Sequence, residues 1–402
     1  MLTSLERRGL ADLPPLVSDS LLALIAMVNA DPRTDKIDVG VGVYRDGAGR
    51  TPVMRAVKES ERRLHEAQDS KSYLGGAGDR RFAELLRPIV LGAHAGDDRI
   101  VGLQTPGGCG ALFLALKLIA AFNPQARVFM GTPTWPNHPP MARGARLEIV
   151  EYRHYDPVAR AVDFGAMIEA LESARPGDVA LLHACCHNPT GADLSEDQWR
   201  EVARVVAERR LIPLIDFAYQ GFGRGLEQDR FGVEVLLEAC NEVLITQSCD
   251  KNFAVYRDRV GCLFVKAPSA DIAKFAMTHL LQISREAWSM PPDHGAAAVR
   301  TVLDNADLAA DWRVELDAMH GRIRMVRERI AAADPRLAYI ADQQGMFSML
   351  PLSVEQVKRL RSEHSIYMAD SGRANLVGIA DGDLDRFCEA VVGALDTPTS
   401  HG

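Results

Sequence analysis

No window of this 402-residue chain reaches the roughly 18 uninterrupted apolar residues that a membrane-spanning helix needs. The apolar run at residues 21–28 is too short. It follows an acidic, proline-rich stretch and is not trailed by a small-residue cleavage site, which argues against a signal peptide. Positive charge is not in excess: 46 basic against 54 acidic residues leave −8, which disfavours nucleic acid or an anionic membrane as the main partner. Lysine is scarce, eight of those 46, a bias read first as genome composition. The seven cysteines, with Cys185 and Cys186 adjacent, have the spacing of neither a zinc site nor a disulfide framework. No metal is expected, and reduced thiols in a cytoplasm are. Internal repeats, low-complexity tracts and Gly/Ser linkers are absent too. What remains, 47% hydrophobic and 25% charged, is ordinary globular composition with the length of two to three domains.

The middle of the chain alternates buried apolar runs with amphipathic stretches. Val179–Cys186, Leu211–Asp216 and Glu242–Cys249 read as buried parallel strands. Between the first two, LSEDQWREVARVVAERR has an N-cap at Ser195 and a periodic apolar face, the signature of a crossover helix. This texture predicts an α/β domain with helices on both faces of a mostly parallel sheet. Toward the C-terminus the pattern predicts a long helix over Ala310–Ala333 and short strands at Met346–Pro351, Ile366–Ala369 and Leu376–Ile379. A smaller α+β domain built from both termini is therefore expected.

Five segments carry chemistry. Lys251 directly follows a buried strand, where lysine is uncommon unless paired or used. Ser248 and Arg259 flank it and could share one phosphate. Asp216 ends a strand, where open parallel sheets bind ligands, and Tyr219 lies three residues on. Asn188 sits in the turn His187–Gly191, also at a strand end. The glycines of Pro106–Gly110 open a helix and expose backbone N–H groups to an anion. Trp135, between prolines, is a rigid aromatic plate. Taken singly, each has an ordinary alternative: a surface loop, a helix N-cap, a turn, a core aromatic.

In chain order these segments resemble the class I aminotransferases, the aspartate and aromatic amino acid aminotransferase group. The resemblance runs nearly end to end through VGVYRD, SYLGGAGDRRF, QTPGGCGAL, TPTWPNH, HACCHNPTG, IDFAYQGF, KNFAVYRDRVG, SREAWSMPPDHGA, QGMFSM and SGRANLVGI. It implies the fold of type I pyridoxal-phosphate-dependent transferases. Residues 49–310 would form the large cofactor-binding domain, and 1–48 with 311–402 the two parts of the small one.

The resemblance also implies roles. Lys251 would carry pyridoxal 5′-phosphate and act as base and then acid at the substrate's Cα. Asp216 would hold the pyridine nitrogen protonated, with His138 and His183 behind it. Tyr219 and Asn188 would bind the ring's phenolic oxygen, and Trp135 would stack on the ring. Gly108, Cys109, Ser248 and Arg259 would bind the phosphate, joined by Tyr73 of a second subunit in a homodimer with shared sites. Arg373 would clamp the substrate α-carboxylate, with the Gly42 backbone, Trp135 and Asn188 nearby. Arg285 of the partner subunit would take a distal carboxylate, and Phe347 would line the entrance. The expected reaction is ping-pong transfer of an amino group from tyrosine, phenylalanine or aspartate to a 2-oxo acid such as 2-oxoglutarate. The alternative is an aspartate aminotransferase restricted to dicarboxylic substrates; a ligand-sensing regulator module is disfavoured, because it needs a DNA-binding domain.

Three departures from the family pattern stand out. Cys109 replaces a usual Thr or Ser, and a thiol is the weaker donor. Asp250 replaces a usual Ser. It is expected to face away from the cofactor's reactive end and to pair with Arg257 or another arginine outside the pocket. Trp288 and Met290 stand where aspartate-specific relatives more often have Tyr and Asn, and are expected to offer apolar surface to an aromatic substrate.

Overall fold

The computed structural model of the chain describes residues 20–397 together with Leu10 and Leu13. The remainder of the expected N-terminal segment, and residues 398–402, lie outside the described residues. The apolar run at 21–28 falls within the helix Ser20–Ala30.

A seven-stranded sheet organises the molecule. In chain order its strands are β1 (Ile100–Pro106), β2 (Arg127–Thr132), β3 (Glu148–Arg153), β4 (Val179–His183), β5 (Ile212–Phe217), β6 (Val243–Ser248) and β7 (Val260–Lys266). Across the sheet they run β1-β7-β6-β5-β4-β2-β3, and only β7 is antiparallel to its neighbours. Side chains alternate between the faces, as the pleat requires. Phe129, Leu182, Ile215 and Ile245 enter one apolar cluster, while Val128, Leu181, Leu214 and Leu244 enter another on the opposite face. Burial on both faces explains why β4, β5 and β6 read as nearly continuous apolar runs.

Helix α1 (Gly107–Phe122) follows β1 and packs on β6 and β7. Helix α2 (Glu196–Glu208) is the expected crossover: Ser195 accepts from the Gln198 N–H, and the Gln198 side chain returns a bond to the Ser195 N–H. Helix α3 (Ala270–Ala287) covers α1 and β1. Helix α4 (Ala306–Ala333) starts four residues earlier than the sequence suggests, because Asn305 caps the Leu308 N–H. Its Trp312 stacks on Phe253 with ring centroids 4.4 Å apart and donates to the Asn252 carbonyl at 2.8 Å. The loop carrying Lys251 is thereby fixed from behind.

A third apolar cluster joins Ile37 and Val39 to residues of the C-terminal region, among them Val326, Ile366 and Phe387. Here Ile37–Asp38 pairs in parallel with Ile366–Tyr367, and Phe347–Met349 pairs antiparallel with Arg373–Asn375. The expected strand at Leu376–Ile379 is instead a 3-10 turn over Leu376–Gly378. The Asn375 side chain, which donates to the Val41 and Val43 carbonyls, ends the ladder there. The expected strand to Cys186 likewise stops at His183, because the Cys186 and His187 N–H groups bond to the Asp193 carboxylate rather than to a neighbouring strand.

Candidate active site

The carboxyl ends of the parallel strands converge on one region, the position where open α/β sheets build ligand sites. One cavity there, of about 270 Å³, is lined by Gly42, Gly108, Cys109, Trp135, Asn188, Asp216, Tyr219, Ser248, Lys251, Arg259, Phe347 and Arg373. Gly108, Trp135, Asn188, Asp216, Tyr219, Ser248 and Lys251 lie at or just beyond strand ends of the large sheet and Arg259 leads into β7, whereas Gly42, Phe347 and Arg373 come from in or beside the two small ladders near the chain's ends. Tyr73 and Arg285 are not among the lining residues. Tyr73 is 91% exposed, and Arg285 is exposed in the last turn of α3.

At the floor, Asp216 is held by a chain of hydrogen bonds. His138 Nε2 lies 3.2 Å from Asp216 Oδ2, and Thr134 Oγ1 lies 2.8 Å from His138 Nδ1 and 3.1 Å from His183 Nε2. The Asn188 N–H points at His183 Nδ1 at 3.4 Å. Donor and acceptor assignment runs one way. Asn188 donates to His183, His183 to Thr134, Thr134 to His138, and His138 to the carboxylate. Burial alone would lift the Asp216 carboxyl; the His138 hydrogen bond and nearby positive charge, including Lys251, outweigh it and hold the group below the usual range. Burial keeps His183 down at about 3. His154 and His187 extend this cluster, their rings stacked with centroids 3.9 Å apart.

Above the floor, Lys251 Nζ stands 5.3 Å from the centroid of the Tyr219 ring. Asn188 Nδ2 donates to Tyr219 Oη at 3.3 Å, and Arg373 Nε donates to Asn188 Oδ1 at 3.2 Å. Arg373 also lies over the Phe347 ring, 4.0 Å from its centroid, and burial lowers its pKa. Gly42 is needed at this wall, because a Cβ there would stand 2.9 Å from Phe347 Cζ.

At the opposite end, α1 begins at Gly107 and Gly108 beside Ser248, so its free N–H groups and positive dipole end face the cavity. Gly107 has φ +67°, open to glycine and strained for other residues. Burial raises the Cys109 thiol pKa, so it remains a weak neutral donor here. Asp250 departs from expectation. Its partner is Arg259, inside the cavity, and not Arg257 or an arginine outside it. The reason is local: the loop closes so that Asp250 Oδ1 accepts the Val260 N–H at 2.9 Å, which delivers the preceding Arg259 to Oδ2.

Trp288 and Met290 do not line this chain's cavity. Trp288 packs on Phe113 with centroids 6.0 Å apart, and Met290 Sδ accepts from the Leu74 N–H at 3.1 Å. Sequence reading also passed over Thr134 and Tyr256. Tyr256 lines the cavity, and its Oη accepts the Tyr44 N–H at 2.9 Å. Both lie inside motifs already singled out, but nothing local marks them. Among the described residues, Cys185, Cys186 and Asp229 place three donor atoms within 4.8 Å of one another. The Asp229 oxygens, however, already accept the N–H groups of Gly221, Gly223 and Arg224, and burial raises both thiols.

A nucleophilic amine, an anchored carboxylate, an aromatic plate, an anion cradle and a buried guanidinium thus surround one cavity. The sequence pattern of aminotransferase class I and II matches residues 34–391. The chain belongs to this family. It is 49% identical over 367 residues to the tyrosine aminotransferase of Rhizobium meliloti strain 1021, covering 90% of this chain and 94% of that protein. To the aspartate aminotransferase of Escherichia coli K12 it is 39% identical over 387 residues, 94% of this chain and 98% of that one. It also superposes on the aromatic-amino-acid aminotransferase of Burkholderia pseudomallei, covalently bound to pyridoxal phosphate. The TM-score is 0.93 at 36% identity, over 97% of this chain and 100% of that chain. This aminotransferase therefore has the α/β fold of the type I pyridoxal-phosphate-dependent transferases and is an amino acid transaminase.

Proposed function

We propose that this aminotransferase moves the amino group of an aromatic or dicarboxylic L-amino acid to a 2-oxo acid, using pyridoxal 5′-phosphate. The observation that carries this reading is the cavity itself, with Asp216 at its floor, Lys251 above it and Arg373 in its wall. The residues present fit the cofactor: a glycine-opened helix end for a phosphate, a plate for a ring, and a carboxylate held ready for a ring N–H. Bound there, it supplies an electron sink for the electrons of the substrate's Cα–H bond.

The chain's own groups do the rest. Lys251 Nζ takes the Cα proton and returns it, as base and then acid. Asp216 accepts from the ring nitrogen, and the His138–Thr134–His183 chain fixes its orientation. Tyr219 and Asn188 donate to the ring oxygen, while Trp135 stacks on the ring. Gly108, Cys109, Ser248 and Arg259 hold the phosphate. Arg373 binds the α-carboxylate, beside Gly42, Trp135 and Asn188, and Phe347 shapes the entrance. Tyr73 and Arg285, exposed on one chain, reach the site of a second copy in a homodimer. The larger unit is residues 49–310; 1–48 and 311–402 form the smaller one, a division supported by the separate apolar cluster of the two ends. A cytoplasmic setting is supported by seven free cysteines, and no described helix is long and apolar enough to cross a membrane.

The test is a substrate panel with 2-oxoglutarate as acceptor. Tyrosine, phenylalanine and aspartate should all react. Arg285→Ala should cost aspartate about 3 kcal/mol in kcat/KM and the aromatic substrates much less. Aromatic kcat/KM values more than about a thousandfold below that for aspartate would establish the dicarboxylate-restricted alternative. The inward packing of Trp288 on Phe113 is the observation on that side.

A further inference from the structure

The phosphate end of the cavity contains a charge that the proposed reaction does not use. Asp250 is 1% exposed and lines the same cavity as Ser248 and Arg259. Its Oδ1 is fixed by the Val260 N–H at 2.9 Å and its Oδ2 is paired with Arg259 Nη1. The backbone closes the third side: a Cβ on Gly107 would stand 2.7 Å from Arg259 Nη2 and 2.9 Å from Asp250 Oδ2. Carboxylate, guanidinium and the first residue of α1 thus meet at one point. The carboxylate has nowhere to go, being buried and held by a strand N–H. The Arg259 side chain is 42% exposed, and its Nη1 also donates to the Tyr256 carbonyl at 2.9 Å, so part of its hydrogen-bonding fork is already engaged.

The consequence is electrostatic. A phosphate monoester carries about −1.5 to −2 charges near neutral pH. Arg259 is the cation placed to meet it, and Asp250 cancels that charge at contact distance. The attraction left to the phosphate comes from the α1 N-terminus, worth roughly half a charge, and from neutral donors such as Ser248. A serine, usual at this position, would leave the guanidinium uncompensated.

We propose that Asp250 is a fixed competitor for the cofactor's phosphate. By sharing Arg259 it loosens the phosphorylated cofactor whenever that cofactor is not covalently tied to Lys251, so that the pyridoxamine form exchanges with solution. The inference rests on the reading of this cavity as a pyridoxal-phosphate site.

The experiment measures equilibrium binding to the full-length protein freed of cofactor, by dialysis and by quenching of tryptophan fluorescence. Three proteins are compared: wild type, Asp250→Ser and Asp250→Asn. The asparagine variant keeps an acceptor for the Val260 N–H, so the comparison survives if the serine variant does not fold. Pyridoxamine 5′-phosphate should bind both variants at least tenfold more tightly than wild type, about 1.4 kcal/mol. Inorganic phosphate alone should likewise bind the variants more tightly than wild type. Unphosphorylated pyridoxamine should bind all three alike. Equal affinity of the three proteins for pyridoxamine 5′-phosphate overturns the inference and leaves the cofactor reading standing. Weaker binding by both variants also overturns it, showing that the carboxylate orients Arg259 toward the phosphate. No binding of any of these compounds to any of the three proteins overturns the cofactor reading and the inference with it.

Discussion

Thr134 shows how much one hydroxyl can organise. It relays a single direction of hydrogen bonding from His183 to His138 and so to Asp216. Thr134→Val keeps the shape and removes the relay, leaving two buried ring nitrogens without their partner. The expected cost is about 1–3 kcal/mol in urea unfolding, with Thr134→Ser close to wild type. The same cluster makes stability depend on pH. Burial holds His154 down at about 4 and His183 at about 3, and puts His187 well below its usual value. The folded protein therefore keeps these rings neutral where the unfolded chain, with ordinary values near 6.5, takes up protons. Stability is full above that unfolded value and falls as pH drops from there toward the folded values. His154 alone should remove about 2 kcal/mol between pH 7 and pH 5, and His154→Gln should flatten the denaturation midpoint's dependence over that window. The family resemblance placed His138 and His183 behind Asp216, but the hydroxyl that joins them was not legible in the sequence. Lys251, Asp216 and Arg373 stand in recognisable motifs, whereas Thr134 gains its role only when three strand ends meet. Asp250 is similar: it was expected to pair with Arg257 or an arginine outside the pocket, and the turn into β7 brings it Arg259 instead.

At the scale of elements, local rules were readable where they close on themselves. The Ser195 capping box needs only four consecutive residues, and α2 begins where the sequence places it. Ser195→Ala should cost about 1 kcal/mol, seen as a lower urea midpoint with an unchanged slope, because it orphans the Gln198 N–H. The buried strands were readable for a related reason, since burial on both faces requires an unbroken apolar run. Legibility failed where a distant group decides. The strand before Cys186 is cut short by Asp193, and Leu376–Gly378 turns because Asn375 bonds back to Val41 and Val43. Apolar residues fill both places, so hydropathy alone reads them as strand.

The whole molecule leaves two of its nominated site residues on the outside. Tyr73 and Arg285 are exposed on one chain, while the residues they were expected to serve enclose a cavity elsewhere. In a twofold dimer each subunit lends the same patch to the other, so one mutant subunit damages its partner's site and not its own. The proposed homodimer therefore makes a sharp prediction. Arg285→Ala and Lys251→Ala should each be nearly inactive with aspartate as donor. Mixed and allowed to exchange subunits, they form a hybrid with one site lacking both groups and one site lacking neither. With random pairing at equal amounts, half of the dimers are hybrids and carry one intact site of two, so recovered activity should approach about a quarter of wild type. Subunit exchange is followed independently by fluorescence transfer between labelled chains. If exchange is complete and aspartate activity stays at the level of the unmixed mutants, Arg285 serves its own subunit and the shared-site arrangement is wrong.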